Sequence, residues 1–99
     1  MDIGTLETTF WWDFGIADKF GESAITDTYH RAITEWISNL EYATELVLVL
    51  NWKTWAWYDK GNEKLSALYS TLYYEAYDKL LDRYGENSGA MSYIFSKLD

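Results

Sequence analysis

Apolar residues recur along this chain mainly at intervals of three and four, the spacing that lines one side of an α-helix, and glycine, asparagine and serine interrupt them. The clearest run extends from about Ser23 to Ser38. At 100° per residue, Ile25, Tyr29, Ala32, Ile33, Trp36, Ile37 and Leu40 fall within an arc of roughly 140°, while Asp27, Thr28, Arg31, Thr34, Glu35 and Ser38 fall opposite. That spacing predicts an amphipathic helix. A shorter aromatic helix is predicted before it, over Thr9 to Phe20, with Thr8 or Thr9 as the N-cap and Gly21 at the C′ position, where φ must be positive. Gly15 weakens that helix, because glycine has the most backbone freedom to lose.

From Leu40 to Asp59 the pattern changes, and Leu46, Val47, Leu48, Val49, Leu50, Trp52, Trp55, Ala56, Trp57 and Tyr58 lie all round the wheel. A helix of that kind belongs at the centre of a fold. Its β-branched and aromatic residues also permit a strand over Leu46 to Tyr58. The long stretch without a turn residue, and the helix formers Ala43, Leu46 and Leu50, favour helix. Ser38 and Glu41 have capping-box spacing at its start, with Asn39 as the other available cap. Gly61 and Asn62 then end one helix and cap the next, which is predicted over Glu63 to Tyr84, closes at Gly85, and aligns Leu65, Leu68, Tyr69, Leu72, Tyr73, Ala76, Leu80 and Tyr84. After Glu86, Asn87 and Ser88, a terminal helix over Gly89 to Leu98 would bury Met91, Ile94, Phe95 and Leu98. The expected fold is all-α: a compact bundle of four or five helices around a central apolar one, forming a single domain over residues 1–99.

Composition supports that picture, since 99 residues with 48% apolar and 19% aromatic content can form a core without metals or cross-links. No cysteine is present, which excludes disulfides, thiol catalysis and cysteine-ligated zinc or iron–sulfur centres. Met1 to Leu6 lacks the basic start and apolar run of a secretory signal, so a cytoplasmic location is expected. The longest unbroken apolar stretch, Leu46 to Leu50, is far shorter than the roughly 20 residues of a membrane span.

Charge narrows the function. Sixteen acidic residues against eight basic ones give a formal charge of −8, which argues against direct contact with a phosphate backbone. The same charge would steer the chain toward a basic surface on another protein, although plain solubility is the simpler role for it. The acids are not evenly spread. Glu75, Asp78 and Asp82 fall within roughly 60° of one another on the polar side of their helix, with Lys79 and Arg83 nearby to neutralise part of the stripe. Glu41 and Glu45 form a second pair, which lacks a basic residue at the next matching position and suits a partner's arginine or lysine.

Six tryptophans and nine tyrosines exceed what one small core needs, and aromatic side chains anchor interfaces by burying large area at small entropic cost. Trp11, Trp12, Tyr74, Tyr77 and Tyr93 are predicted to be exposed, with Tyr74 the first choice because it lies almost opposite its helix's apolar face. Base stacking on them would require a basic groove, which this composition does not supply. His30 is the single histidine, with Asp27 three residues before it. It lies at the edge of its helix's apolar arc, and the repeated Glu-x-x-His order of bundle iron sites is absent, so no metal and no cofactor are expected. No phosphate loop, nucleophile elbow or catalytic triad appears either, and the chain is expected not to be an enzyme.

Phe20–Gly21 with Ala24–Ile25, Asp27–Thr28–Tyr29 with Arg31–Ala32 and Glu35–Trp36, and Thr44–Glu45–Leu46 running into Val49–Leu50–Asn51–Trp52–Lys53 resemble a family of short acidic proteins of gut bacteria and their phages or mobile elements. The likeness covers roughly residues 10 to 75 and carries no motif of known chemistry, so it implies a setting more than a mechanism. Small acidic proteins of mobile elements include anti-CRISPR and anti-restriction inhibitors, which occupy nucleic-acid-binding surfaces, and this chain is similar to them in size and charge. Taken with the acidity and the aromatic surplus, the expectation is a non-enzymatic inhibitor that blocks a basic surface of a nucleic-acid enzyme such as a CRISPR effector. Glu75, Asp78 and Asp82, helped by Glu41 and Glu45, would meet that surface, with Tyr74 as anchor. The alternative is a self-associating helical adaptor or phage structural module, a homodimer built on the same aromatics.

Overall fold

A computed structural model of the chain describes residues 3–85 together with Ser92 and Ser96, with side chains described from Phe10 onward. Four α-helices follow one another: α1 (Ile3–Phe20), α2 (Glu22–Trp36), α3 (Leu40–Asp59) and α4 (Glu63–Tyr84). Among the described residues there is no strand, and Leu46 to Tyr58 is helical throughout. α3 and α4 have the predicted ends, whereas α1 begins at Ile3 instead of Thr9 and runs through Gly15 without a break. Leu6 stands four residues before Phe10 and eight before Phe14, so the helical spacing extends backward past the threonines read as caps. The terminal helix predicted over Gly89 to Leu98 lies outside the described residues, apart from Ser92 and Ser96, which are helical and exposed.

Local chemistry explains the joints. Gly21 separates α1 from α2 at φ 104°, a value that side-chain-bearing residues rarely adopt. Asn39, in extended conformation, caps α3 by accepting the Tyr42 N–H at 3.2 Å, so the Ser38–Glu41 capping box gives way to its competitor. Asn62 caps α4 in the same way through the Leu65 N–H at 3.1 Å. At the far end of α4, the Tyr84 hydroxyl donates to the Ile37 carbonyl at 2.6 Å and ties the end of α4 to the end of α2.

α3 is the central helix. It packs against each of the other three, and every residue from Ala43 to Leu50 is buried, whichever way its side chain points. Phe10, Phe14 and Ala17 cover it from α1, Ile25, Tyr29 and Ile33 from α2, and Tyr69, Leu72, Ala76 and Leu80 from α4. Each large apolar side chain so enclosed contributes about 1.5–3 kcal/mol, which makes this shared core the main source of stability. α1 and α4 meet through side chains around Tyr69, whose ring lies edge to face with Phe14, their centroids 5.7 Å apart, and whose hydroxyl reaches Asp18.

Candidate functional site

The outer side of α4 carries the first candidate surface. Glu75, Asp78 and Asp82 are all exposed, as the periodicity of α4 requires once Leu72, Ala76 and Leu80 face α3. Together with Lys79 they line a shallow open concavity. Among the described residues the ion pairs are Lys53–Asp18 and Lys64–Glu22, so the stripe's three carboxylates are held by no internal cation. Beneath the stripe, the buried Tyr29 hydroxyl has no hydrogen-bond partner among the described residues; burial, and secondarily the charge of Glu75, push its pKa well above the usual tyrosine range.

Tyr74, 62% exposed, continues this stripe toward α3. There it forms one wall of an open groove of about 510 Å³ between α3 and α4, with Trp55 and Tyr58 on the opposite wall and Ser66, Ala67 and Ser70 at its floor and rim. Trp55 and Tyr58 are 57% and 60% exposed and meet edge to face, their centroids 5.7 Å apart. The Ser66 hydroxyl donates to the Thr54 carbonyl at 2.9 Å and fastens the two helices below the groove. Acidic stripe and aromatic groove therefore adjoin along one helix, with Tyr74 at their seam.

Several site residues expected from sequence are placed elsewhere. Glu41 is exposed, but Glu45 is 1% exposed and is removed from any partner surface. The reason is positional: i, i+4 spacing puts both glutamates on one side of α3, yet Glu41 is in the open first turn, whereas Glu45 lies within Ala43 to Leu50, where the helix is enclosed on all sides. Glu41 lies on a different helix from the stripe. Of the aromatics predicted to be exposed, Trp12 and Tyr74 are, Trp11 and Tyr77 are half-buried, and Tyr93 lies outside the described residues. Trp55, Tyr58 and Phe20 are exposed in addition. His30 is exposed with its ring against Tyr29, and among the described residues no three histidine or acidic side chains gather as metal ligands would.

A second constellation has no counterpart in the sequence reading. Lys53, 7% exposed, projects from α3 and forms an ion pair with Asp18 of α1, whose other carboxylate oxygen accepts the Tyr69 hydroxyl of α4 at 2.5 Å. The Lys53 ammonium lies 5.3 Å from the centre of the Trp11 ring, 5.6 Å from Tyr69 and 5.8 Å from Trp57. Trp11 itself stacks on Trp52, with ring centres 6.2 Å apart. Burial is the largest cause of a pKa for Tyr69 far above the usual range, followed by its hydrogen bond to Asp18 and that carboxylate's charge. These three groups satisfy one another across three helices, and the arrangement is a tie between α1, α3 and α4. One lysine in the most apolar helix was the available sequence signal, and its partner stands 35 residues away.

Comparison with known proteins adds no relative: no family model matches this chain, and neither does a curated protein or a solved structure. Among the described residues, no helix is long and apolar enough to cross a membrane.

Proposed function

We propose that this chain is a non-enzymatic binding protein whose α4 face docks on a basic surface of a nucleic-acid enzyme and blocks it, in the manner of a phage or mobile-element inhibitor such as an anti-CRISPR protein. The observation that carries the reading is the exposure of Tyr74 where an unpaired acidic stripe meets an aromatic groove. Charge-assisted contacts from Glu75, Asp78 and Asp82 would orient an arginine- or lysine-rich partner, and the overall charge of −8 would speed its approach. Tyr74, with Trp55 and Tyr58 beside it, supplies the large, rigid, amphipathic contacts in which binding energy concentrates.

The test is a cleavage assay with purified CRISPR effector and restriction nucleases, run with and without the protein across a salt series. Inhibition that weakens as salt rises, and that is abolished by combining Glu75→Ser, Asp78→Ser and Asp82→Ser while helical circular dichroism stays unchanged, is the expected result. Inhibition that survives the triple substitution removes α4 as the site, and absence of inhibition or binding across the panel removes the reading.

A further inference from the structure

α1 carries an apolar ridge on the side turned away from the core. Trp12, Ile16 and Phe20, spaced four apart, are 71%, 43% and 77% exposed, while Phe10, Phe14 and Ala17 on the opposite side are buried. At roughly 200 Å² for a large aromatic side chain, Trp12 and Phe20 alone leave about 300 Å² of apolar surface on this one helix. An isolated exposed aromatic requires no explanation, but three apolar side chains in line form a contiguous patch of the kind that marks an interface. Four-residue ridges are also the elements that interdigitate when two helices cross in the commonest packing class.

The flanks of the ridge indicate what covers it. Asp13 and Lys19 are both exposed, and on the helical wheel they fall about 60° to either side of Ile16. We infer that the occupant is a second copy of this chain, packed through α1 about a two-fold axis with the two helices running in the same sense. Such a rotation lays Trp12, Ile16 and Phe20 on their own counterparts and turns the Lys19 flank of each copy toward the Asp13 flank of the other, so the opposite charges pair twice. The two residues differ by about 9 Å of helical rise, and lysine's long stem, leaning toward the helix N-terminus, covers much of that interval. Reversing one helix would instead set Asp13 beside Asp13 and Lys19 beside Lys19. Two copies bring about 600 Å² of aromatic surface together, with Ile16 and the stems of the flanking residues adding to it, toward the roughly 1,000 Å² that a specific interface clears. A lipid surface fits less well, because it offers no counterpart to the oppositely charged Asp13 and Lys19 flanks.

This interface lies on α1 and leaves the α4 face free, so it stands or falls independently of the function proposed above. Sedimentation equilibrium over a range of concentrations tests it. The wild-type chain is expected to dimerise, and Trp12→Glu or Phe20→Glu to weaken dimerisation by roughly thirtyfold or more with unchanged helical circular dichroism, since both positions are exposed. Asp13→Lys and Lys19→Asp are each expected to weaken it by about twofold to fivefold, and the combined exchange to restore it. A chain that remains monomeric at high concentration overturns the inference, including where it cosediments with neutral phosphatidylcholine vesicles and the ridge proves to be a lipid contact. A dimer that survives Phe20→Glu and Trp12→Glu places self-association elsewhere, and single exchanges that are not rescued by the double one overturn the parallel sense.

Discussion

The Asp18–Lys53–Tyr69 cluster and the Glu75–Asp78–Asp82 stripe, with Lys79 and Tyr74 beside it, use the same kinds of group, carboxylate, ammonium and tyrosine hydroxyl, in opposite surroundings. Inside the bundle each charge has been removed from water and is held by a partner on another helix. On α4 the carboxylates keep their hydration and have no ion-pair partner among the described residues, although Lys79 and Arg83 lie close by in sequence. The difference shows where electrostatics acts in a small bundle. Buried groups fix how three helices meet, because leaving any one unpaired in low dielectric is costly; exposed groups contribute little to stability and remain available to something outside.

The sharpest way to break the comparison is to remove the buried cation. Lys53→Ala would leave the Asp18 carboxylate buried without its ion pair and is expected to cost about 3–5 kcal/mol, a fall in Tm of roughly 15 °C or more for a domain of this size. The double change Asp18→Leu with Lys53→Met removes both charges and should recover most of that loss. Thermal denaturation followed by circular dichroism distinguishes the two, and equal destabilisation by single and double variants would show that packing, and not charge pairing, holds the site.

Next in size is Tyr69→Phe, which deletes a hydrogen bond to a charged acceptor and is expected to cost about 1.5–3 kcal/mol. It also has a pH signature. Burial and Asp18 raise the pKa of Tyr69 in the folded chain, and burial raises those of Tyr29 and Tyr73. A tyrosine whose pKa is raised by folding contributes stability that is complete below its unfolded value, about 10, and declines as pH rises above it. Denaturant midpoints should therefore be flat near neutrality and fall beyond about pH 10, with a shallower fall in Tyr69→Phe. An unchanged alkaline slope in that variant would show that Tyr69 is not the group responsible.

The smallest effect is expected at the stripe. Serine at Glu75, Asp78 and Asp82 should each change stability by within about 0.5 kcal/mol, although the same variant is expected to lose its partner. A large loss of stability there would mean that the carboxylates are structural after all, and would erase the contrast with the interior.

Much of the fold was legible in the residue pattern. Periods of three and four marked α2 and α4, the all-round apolarity of Leu40 to Asp59 marked α3 as central, and Gly21, Asn62 and Gly85 stood at helix ends. Those signals are local: a helical face, a cap or a positive φ depends on residues within about one turn. The exposure of Glu75, Asp78, Asp82 and Tyr74 was legible for the same reason, since each lies away from its own helix's apolar side.

What the pattern could not supply depends on how neighbouring helices cover one another. Glu41 and Glu45 are equivalent by spacing, and only the packing around α3 buries one and leaves the other in water. Trp55 and Tyr58 belong to the central helix yet are exposed, because they line the open groove that α3 and α4 leave between them. The exposed ridge of α1 follows from Phe10 and Phe14 taking the inward side of a helix that is apolar on two sides. The tie between Asp18, Lys53 and Tyr69 joins positions 35 and 51 residues apart. The sequence by itself determined which segments are helical and which sides of α2 and α4 are apolar, because those properties repeat within a few residues. Tertiary structure decided which charges and aromatics meet water and which meet one another, because burial belongs to the assembled neighbours and not to any single helix.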